Sequence, residues 1–408
     1  MNSYKSLARK NNVRKPRIFF LSFYPPKPTM GGAIAFYRHF VERDDFELFV
    51  ATTDERILEF NPNYQTLIFS HPPLLERVMN SRLSQWAHSF RHLVSGNFIP
   101  DEVISAAEEF KPDLIFTIAG SWDWTTLMSR KLAQRMSIPL VGSFNDWFDF
   151  STIIHPLLRP ALEKTFRKFY TDCDLACCTC EGMRRELGEH PNAHVLYPIG
   201  SNKSSLTESH QREQQPNNPP VVTFAGNLSL WYGRMIEELV STALISDYPI
   251  EFRIFGGNQS WGHDFHEMVV DRDIFRGYIP FEELKGELAK SDLLILPMGF
   301  EEECAQVERT SFKTKFLDYL TCKKPIVVWG PDYCSAVQVA REFDSAEVCT
   351  SPCAQESFKS IKRVLNSPSK QKNLIDNAEV MFASRFHPDK IHQGLLQKIH
   401  ELVEPKNN

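Results

Sequence analysis

Several common catalytic signatures are missing from this chain. No strand is followed by G-x-G-x-x-G, and no G-x-x-x-x-G-K-[ST] occurs, which argues against a nicotinamide dehydrogenase or a P-loop hydrolase. His71, His155, His263 and His266 show no H-E-x-x-H spacing, and G-x-S-x-G is also missing. No apolar run approaches the roughly 20 residues that span a bilayer. Positive charge is in short supply: 46 Lys and Arg against 51 Asp and Glu give a net charge of −5. That balance argues against a nucleic-acid protein held by phosphate neutralisation. Secretory features are lacking too. Ile18 to Phe23 follows a basic leader, but the run is short and Tyr24-Pro25-Pro26 offers no small-residue cleavage site, so it reads as the first strand. Nine cysteines without a secretory signal imply reduced thiols and a cytoplasmic setting. Cys173, Cys177, Cys178 and Cys180 cluster, yet no second C-x-x-C pair exists, and on a strand Cys177 points away from Cys178 and Cys180. Small buried apolar residues account for them better, and no metal site is expected. No internal repeat is visible.

What is present is a chain of 408 residues, 42% hydrophobic and 24% charged, an ordinary balance for a globular protein of two or three domains. Residues 1–16, with Lys5, Arg9, Lys10, Arg14 and Lys15 and almost nothing apolar, read as a flexible basic leader. Over 17–200, apolar strands at Arg17–Phe23, Phe46–Ala51, Thr66–Phe69, Asp113–Ile118, Pro139–Phe144, Asp174–Thr179 and His194–Tyr197 alternate with helical patterns. Residues 201–220 turn to Ser, Asn, Gln, Glu and Pro and read as a linker. A second alternating series occupies 221–385, with strands at Val221–Ala225, Glu251–Phe255, Leu293–Leu296, Ile326–Trp329 and Ala346–Cys349. A turn-rich piece follows Phe255. Residues 386–408 carry a final helix that comes after the second sheet is complete and is expected to pack back on the first domain. Continuous apolar strands alternating with helices imply an α/β protein of two Rossmann-like, doubly wound parallel-sheet domains. Function in such sheets sits in loops beyond the strands' carboxyl ends.

One stretch, Thr310 to Pro331, concentrates chemistry. Thr310 and Ser311 offer hydroxyls for a helix N-cap, and Phe312, Phe316, Leu317 and Leu320 repeat at helical intervals. Lys315 and Asp318 fall on the opposite stripe. A hydroxyl-and-lysine loop at a helix start suits an anion, and a carboxylate further along can take a pair of sugar hydroxyls. Phosphate at one end and ribose at the other describe a nucleotide. Glycines punctuate the neighbouring strand ends, at Gly226-Asn227, Gly256-Gly257 and Met298-Gly299.

The second half resembles the donor-binding domain of glycosyltransferases with two Rossmann domains, the GT-B architecture, most nearly the family-4 retaining group. The matching pieces are V-V-T-F-A-G-N-L at 221–228, F-R-I-F-G-G at 252–257, F-R-G-Y-I-P-F-E-E-L-K-G-E-L-A-K-S-D-L-L-I-L-P at 275–297 and S-F-K-T-K-F-L-D-Y-L-T-C-K-K-P-I-V-V at 311–328. The last is similar to a family variant, S-[FLI]-P-[ST]-K-[LF]-x-[ED]-Y-[LM]-[AT]-[AC]-G-[KR]-P-[IV]. In the first half, P-P-x-x-x-x-G-G, S-F-N-D-W and C-T-C-E-G-M-R-R-E-L resemble the family's acceptor-domain landmarks. Of the family's paired glutamates, Asp318 takes the second position and Thr310 the first. Lys323 stands where a glycine is usual, and the basic pair after the domain's first strand is reduced to Arg234.

Carried over, the resemblance implies two domains facing across a cleft, with Asp318 on the ribose hydroxyls and Lys315 and Arg234 on the diphosphate. Gly31 and Gly32 would face the phosphate, Asp146 would meet the acceptor, and Gly226, Asn227, Gly256, Ile279, Thr310 and Ser311 would line the donor. The implied reaction moves a sugar from a nucleotide-diphosphate sugar to a glycan or lipid-linked acceptor, with retention, in polysaccharide or glycolipid biosynthesis. No cofactor or metal is implied, because cations neutralise the diphosphate. In an inverting enzyme Asp146 would be the base. A nucleotide-sugar epimerase of the same fold and a non-catalytic nucleotide-sugar or glycan-binding subunit are the alternatives. The implied setting is cytoplasmic, with peripheral contact at the inner membrane face through the leader and no nucleic-acid partner.

Overall fold

The computed structural model describes residues 14–28, 32–60, 63–70, 73–120, 124–147, 154–200 and 217–404. Its first strands are β1 (Arg17–Leu21), β2 (Glu47–Thr52), β3 (Gln65–Ile68), β4 (Leu114–Ala119), β5 (Leu140–Phe144), β6 (Leu175–Cys178) and β7 (Ala193–Val195). They lie in the order β3-β2-β1-β4-β5-β6-β7, and β1 pairs in parallel with both β2 and β4. Helices α1 (Gly32–Phe40), α2 (Pro73–Met79), α3 (Ser84–Leu93), α4 (Asp101–Phe110), α5 (Thr126–Met136), α6 (Arg159–Asp172) and α7 (Glu181–Leu187) connect them. Each strand reads as an apolar run because parallel sheets bury both faces. Phe20 on β1 and Phe116 on β4 stack at 5.2 Å, and Phe36 and Phe40 of α1 pack edge-on against them.

The second sheet contains β8 (Val221–Ala225), β9 (Glu251–Phe255), β10 (Leu293–Pro297), β11 (Ile326–Trp329) and β12 (Glu347–Cys349) in the order β12-β11-β10-β8-β9. Every neighbouring pair is parallel. Its helices are α8 (Trp231–Leu244), α9 (His263–Asp271), α10 (Phe281–Ala289), α11 (Glu302–Thr310), α12 (Thr314–Leu320), α13 (Ser335–Phe343), α14 (Ala354–Leu365), α15 (Pro368–Met381) and α16 (Pro388–Val403). A core of Val222, Phe224, Leu239, Ile254, Ile295 and Val327 fills the space between sheet and helices. The order reverses between β8 and β10, and the carboxyl ends of those strands therefore open on a switch point.

The chain forms two compact units. One comprises Met1–Ser143, Ser151–Cys177 and Gly394–Asn408; the other comprises Phe144–Phe150 and Cys178–Gln393.

Two expectations are corrected. The turn-rich piece after β9 contains α9, whose Phe265 and Val269 are buried four residues apart. Thr310 and Ser311 do not cap α12. Thr310 is the last residue of α11, with its hydroxyl turned back to the Gln306 carbonyl at 2.7 Å, and α12 starts only at Thr314 behind Lys313. Thr310 still lies inside α11, and the N-cap position of α12 falls to Lys313, whose side chain has no oxygen to accept from the first amides of the helix. Most of the linker read at 201–220 lies outside the described residues.

Candidate functional site

Helix α12 is only seven residues long, and Tyr319 fixes it to the second sheet. The phenol oxygen accepts from the Ala225 amide at 2.9 Å, at the last residue of β8. Burial raises the Tyr319 pKa well above its ordinary value, so the group stays a neutral hydroxyl. Lys315 stands four residues earlier, on the same helical face, and so points at the next residue of the chain, Gly226. A Cβ built on Gly226 would lie 1.7 Å from the Lys315 Nζ. Only glycine leaves the ammonium its place. The same ammonium lies 5.0 Å from the Phe224 ring centroid and 5.6 Å from that of Tyr232.

Two cations approach this point and one carboxylate serves them. Glu308, buried on α11, accepts at one oxygen from Trp231 Nε1 at 3.0 Å, the Tyr232 hydroxyl at 2.7 Å and the Gly299 amide at 3.2 Å. Its other oxygen lies 2.8 Å from Lys313 Nζ. Burial lowers the Lys313 pKa, but Glu308 and Tyr232 outweigh it and hold the group charged. Among the described residues no carboxylate pairs with Lys315. Burial, reinforced by repulsion from Lys313, brings its pKa down to about 7, against the pull of Glu308. The result is a partly accessible lysine with no ion pair of its own among the described residues, at the carboxyl end of β8, where the strand order reverses. Such a place suits an anion.

Gly226 and Gly256 act sterically here. Their φ angles are +153° and +155°, and a Cβ on Gly256 would lie 1.9 Å from the Gly226 carbonyl oxygen. Their amides are already engaged, donating to Phe255 and Gly277 at 2.8 and 2.9 Å. The Ser311 hydroxyl donates to Asp146 at 3.0 Å, joining two expected residues. Arg234 is exposed, and its guanidinium lies 3.2 Å from Glu301 in a surface ion pair. Asn227 is exposed and closes its own turn by accepting from the Ser229 amide at 3.1 Å. Ile279 is half-buried between α9 and α10, and Asp318 is half-buried on α12. Gly32 opens α1 with open space around it, while Gly31 lies outside the described residues. Cys173, Cys177, Cys178 and Cys180 are all buried, and Cys180 caps α7 by accepting from the Met183 amide. No group of metal-ligating side chains occurs among the described residues.

Solved structures match nearly the whole chain. HepE from Anabaena, in complex with UDP-glucose, superposes with a TM-score of 0.64 at 16% identity, covering 95% of this chain and 100% of that one. Sucrose-phosphate synthase from Thermosynechococcus elongatus gives 0.65 at 14% identity over 95% and 99%. A glycosyltransferase from Rickettsia africae gives 0.67 at 11% identity over 97% and 100%. The chain has the GT-B fold. No protein-family model matches it, and no curated protein does.

On this GT-B frame, Glu308, Lys313, Trp231 and Tyr232 are the site residues that the sequence reading missed. A signal existed. Cys304, Val307, Glu308 and Ser311 are spaced as one buried helical stripe, and a glutamate inside such a stripe demands a partner.

Proposed function

We propose that this chain is a glycosyltransferase that binds a nucleotide-diphosphate sugar at the carboxyl ends of β8 and β10. The observation that carries the reading is the Lys315 ammonium, held against Gly226 with no carboxylate of its own among the described residues. A diphosphate supplies the missing charge. As the anomeric carbon becomes oxocarbenium-like, negative charge grows on the leaving phosphate, and a fixed cation there lowers the barrier. In the retaining reaction the leaving phosphate takes the acceptor's proton on the same face, and Asp318 holds the ribose. Asp146, oriented by Ser311, is assigned to the acceptor, a glycan or a lipid-linked sugar of polysaccharide or glycolipid synthesis. Lys315 supplies the charge that a divalent ion would otherwise bring, so the reading needs no metal. UDP sugars are the first donors to try, because the HepE structure contains UDP-glucose.

Calorimetric titration of UDP, GDP and ADP into the wild type and Lys315→Met tests the site. Tight binding of one diphosphate that the variant loses about tenfold or more supports the assignment, and equal binding to both proteins ends it. One observation favours a second reading, a binder without turnover. Thr310, at the position where the resemblance expects a glutamate, is buried with its hydroxyl satisfied by Gln306. Incubation with the bound donor and a panel of glycans and lipid extracts separates the two, since only a transferase releases the diphosphate.

A further inference from the structure

Helix α3 carries its apolar side chains on the outside. Leu83, Trp86, Phe90 and Val94 follow one another at three- and four-residue steps, which aligns them along one stripe. They are 57%, 45%, 51% and 38% exposed, while Ala87, Ser89, Arg91 and His92 are buried. Phe98, just beyond the helix, is 72% exposed. The stripe widens sideways: the His155 ring stacks on Trp86 with centroids 3.9 Å apart, and Leu157, two residues on, is 76% exposed. The His155 amide donates to Ser89 at 3.0 Å, which fixes that loop beside the helix. Scattered apolar residues are normal on a surface, but an ordered set of six with three aromatic side chains implies something that covers it.

Charge indicates what covers it. From Arg77 to Pro100 the chain has no Asp or Glu, and Arg77 and Arg82 are exposed on the approach to the stripe. An occupant must therefore be apolar within and anionic at its surface. A bilayer with anionic headgroups has both properties, and tryptophan favours its interface. No helix among the described residues is long and apolar enough to cross a membrane, so the contact is peripheral.

We propose that the face formed by Leu83, Trp86, Phe90, Val94, Phe98 and Leu157 docks this chain on an anionic lipid surface. The apolar side chains enter the boundary between headgroups and acyl chains, and Arg77 and Arg82 meet lipid phosphates. Nothing in this depends on the donor site, so the test omits nucleotide. The full chain is co-sedimented with phosphatidylcholine vesicles and with vesicles that also contain phosphatidylglycerol. Binding is expected to the second only and to weaken as salt rises. Trp86→Ser with Phe90→Ser should reduce it about tenfold, and Arg77→Ser with Arg82→Ser should remove most of its salt dependence. All four side chains are exposed, so both variants should keep the wild-type circular dichroism and melting. The proposal is overturned if the wild type sediments with neither vesicle or if the aromatic variant binds like wild type. It is equally overturned if light scattering finds a dimer that the aromatic variant dissociates, since a second copy then covers the face.

Discussion

Lys313 and Lys315 stand two residues apart and share Glu308, which lies 2.8 Å from the first and offers the second only a weaker attraction. The pairing sorts the two lysines. Lys313 is held charged, while Lys315 is left near neutrality in its affinity for a proton, with a pKa of about 7. One lysine is thus structural and the other is available to a ligand.

Replacing Lys315 should stabilise the protein. Its folded pKa of about 7 lies below the ordinary 10.5, so between those values the unfolded chain binds more protons and stability rises with pH. The penalty is greatest at and below pH 7 and fades toward the ordinary lysine value. Lys315→Met, which keeps the stem and removes the charge, should gain roughly 1–3 kcal/mol at neutral pH. Urea unfolding across this pH range should show the gain shrinking as pH rises, and a pH-independent gain would contradict the account.

Binding should take up a proton. Diphosphate favours the charged ammonium, so above pH 7 the free protein must be protonated as the complex forms, and affinity should fall by up to about tenfold per pH unit. At pH 8 most of a proton should be taken up per diphosphate bound. Calorimetry in buffers of different ionisation heat measures this directly. Lys315→Arg, always charged, should bind with no uptake from this position.

Removing the shared carboxylate should cost much more than removing one of its neutral donors. Glu308→Gln leaves the half-buried Lys313 without a counter-charge and should destabilise the fold by roughly 2–4 kcal/mol. Trp231→Phe deletes one hydrogen bond to Glu308 and should cost about 1 kcal/mol. Adding Lys313→Met to Glu308→Gln should recover much of the loss. Additive costs in the double variant would show that the two side chains are not energetically coupled.

The strands were legible and the site only partly so, for one physical reason. Ile18 to Leu21 or Leu293 to Leu296 announce buried parallel strands by composition alone. Helices such as α14 are marked by periodicity rather than composition, with Phe358, Ile361 and Val364 buried at three-residue steps. Lys315, Gly226 and Gly256 were readable as candidates because lysine and glycine at strand and helix ends already suggest an anion site. Their relation was not, since Lys315 meets Gly226 only through the anchor of Tyr319 on Ala225, a contact between distant segments. Arg234 looks equivalent to Lys315 in sequence, but in the fold it is exposed and pairs with Glu301, whereas Lys315 is packed against Gly226.

Gly226 and Gly256 should respond differently to the same added methyl group. A Cβ at Gly226 meets the Lys315 ammonium at 1.7 Å and Cε at 2.0 Å, the far end of a flexible side chain. The lysine can swing away, so Gly226→Ala should fold, at a cost of roughly 1–2 kcal/mol for its positive φ. The displaced ammonium no longer meets a ligand at the end of β8, and diphosphate affinity should drop about tenfold. A Cβ at Gly256 meets the Gly226 carbonyl oxygen at 1.9 Å, where backbone faces backbone between paired strand ends. Neither side can yield without breaking the ladder, so Gly256→Ala should cost roughly 3 kcal/mol or more. Urea midpoints paired with calorimetry read both effects. If Gly226→Ala keeps full affinity, the ammonium against that glycine is not what holds the diphosphate.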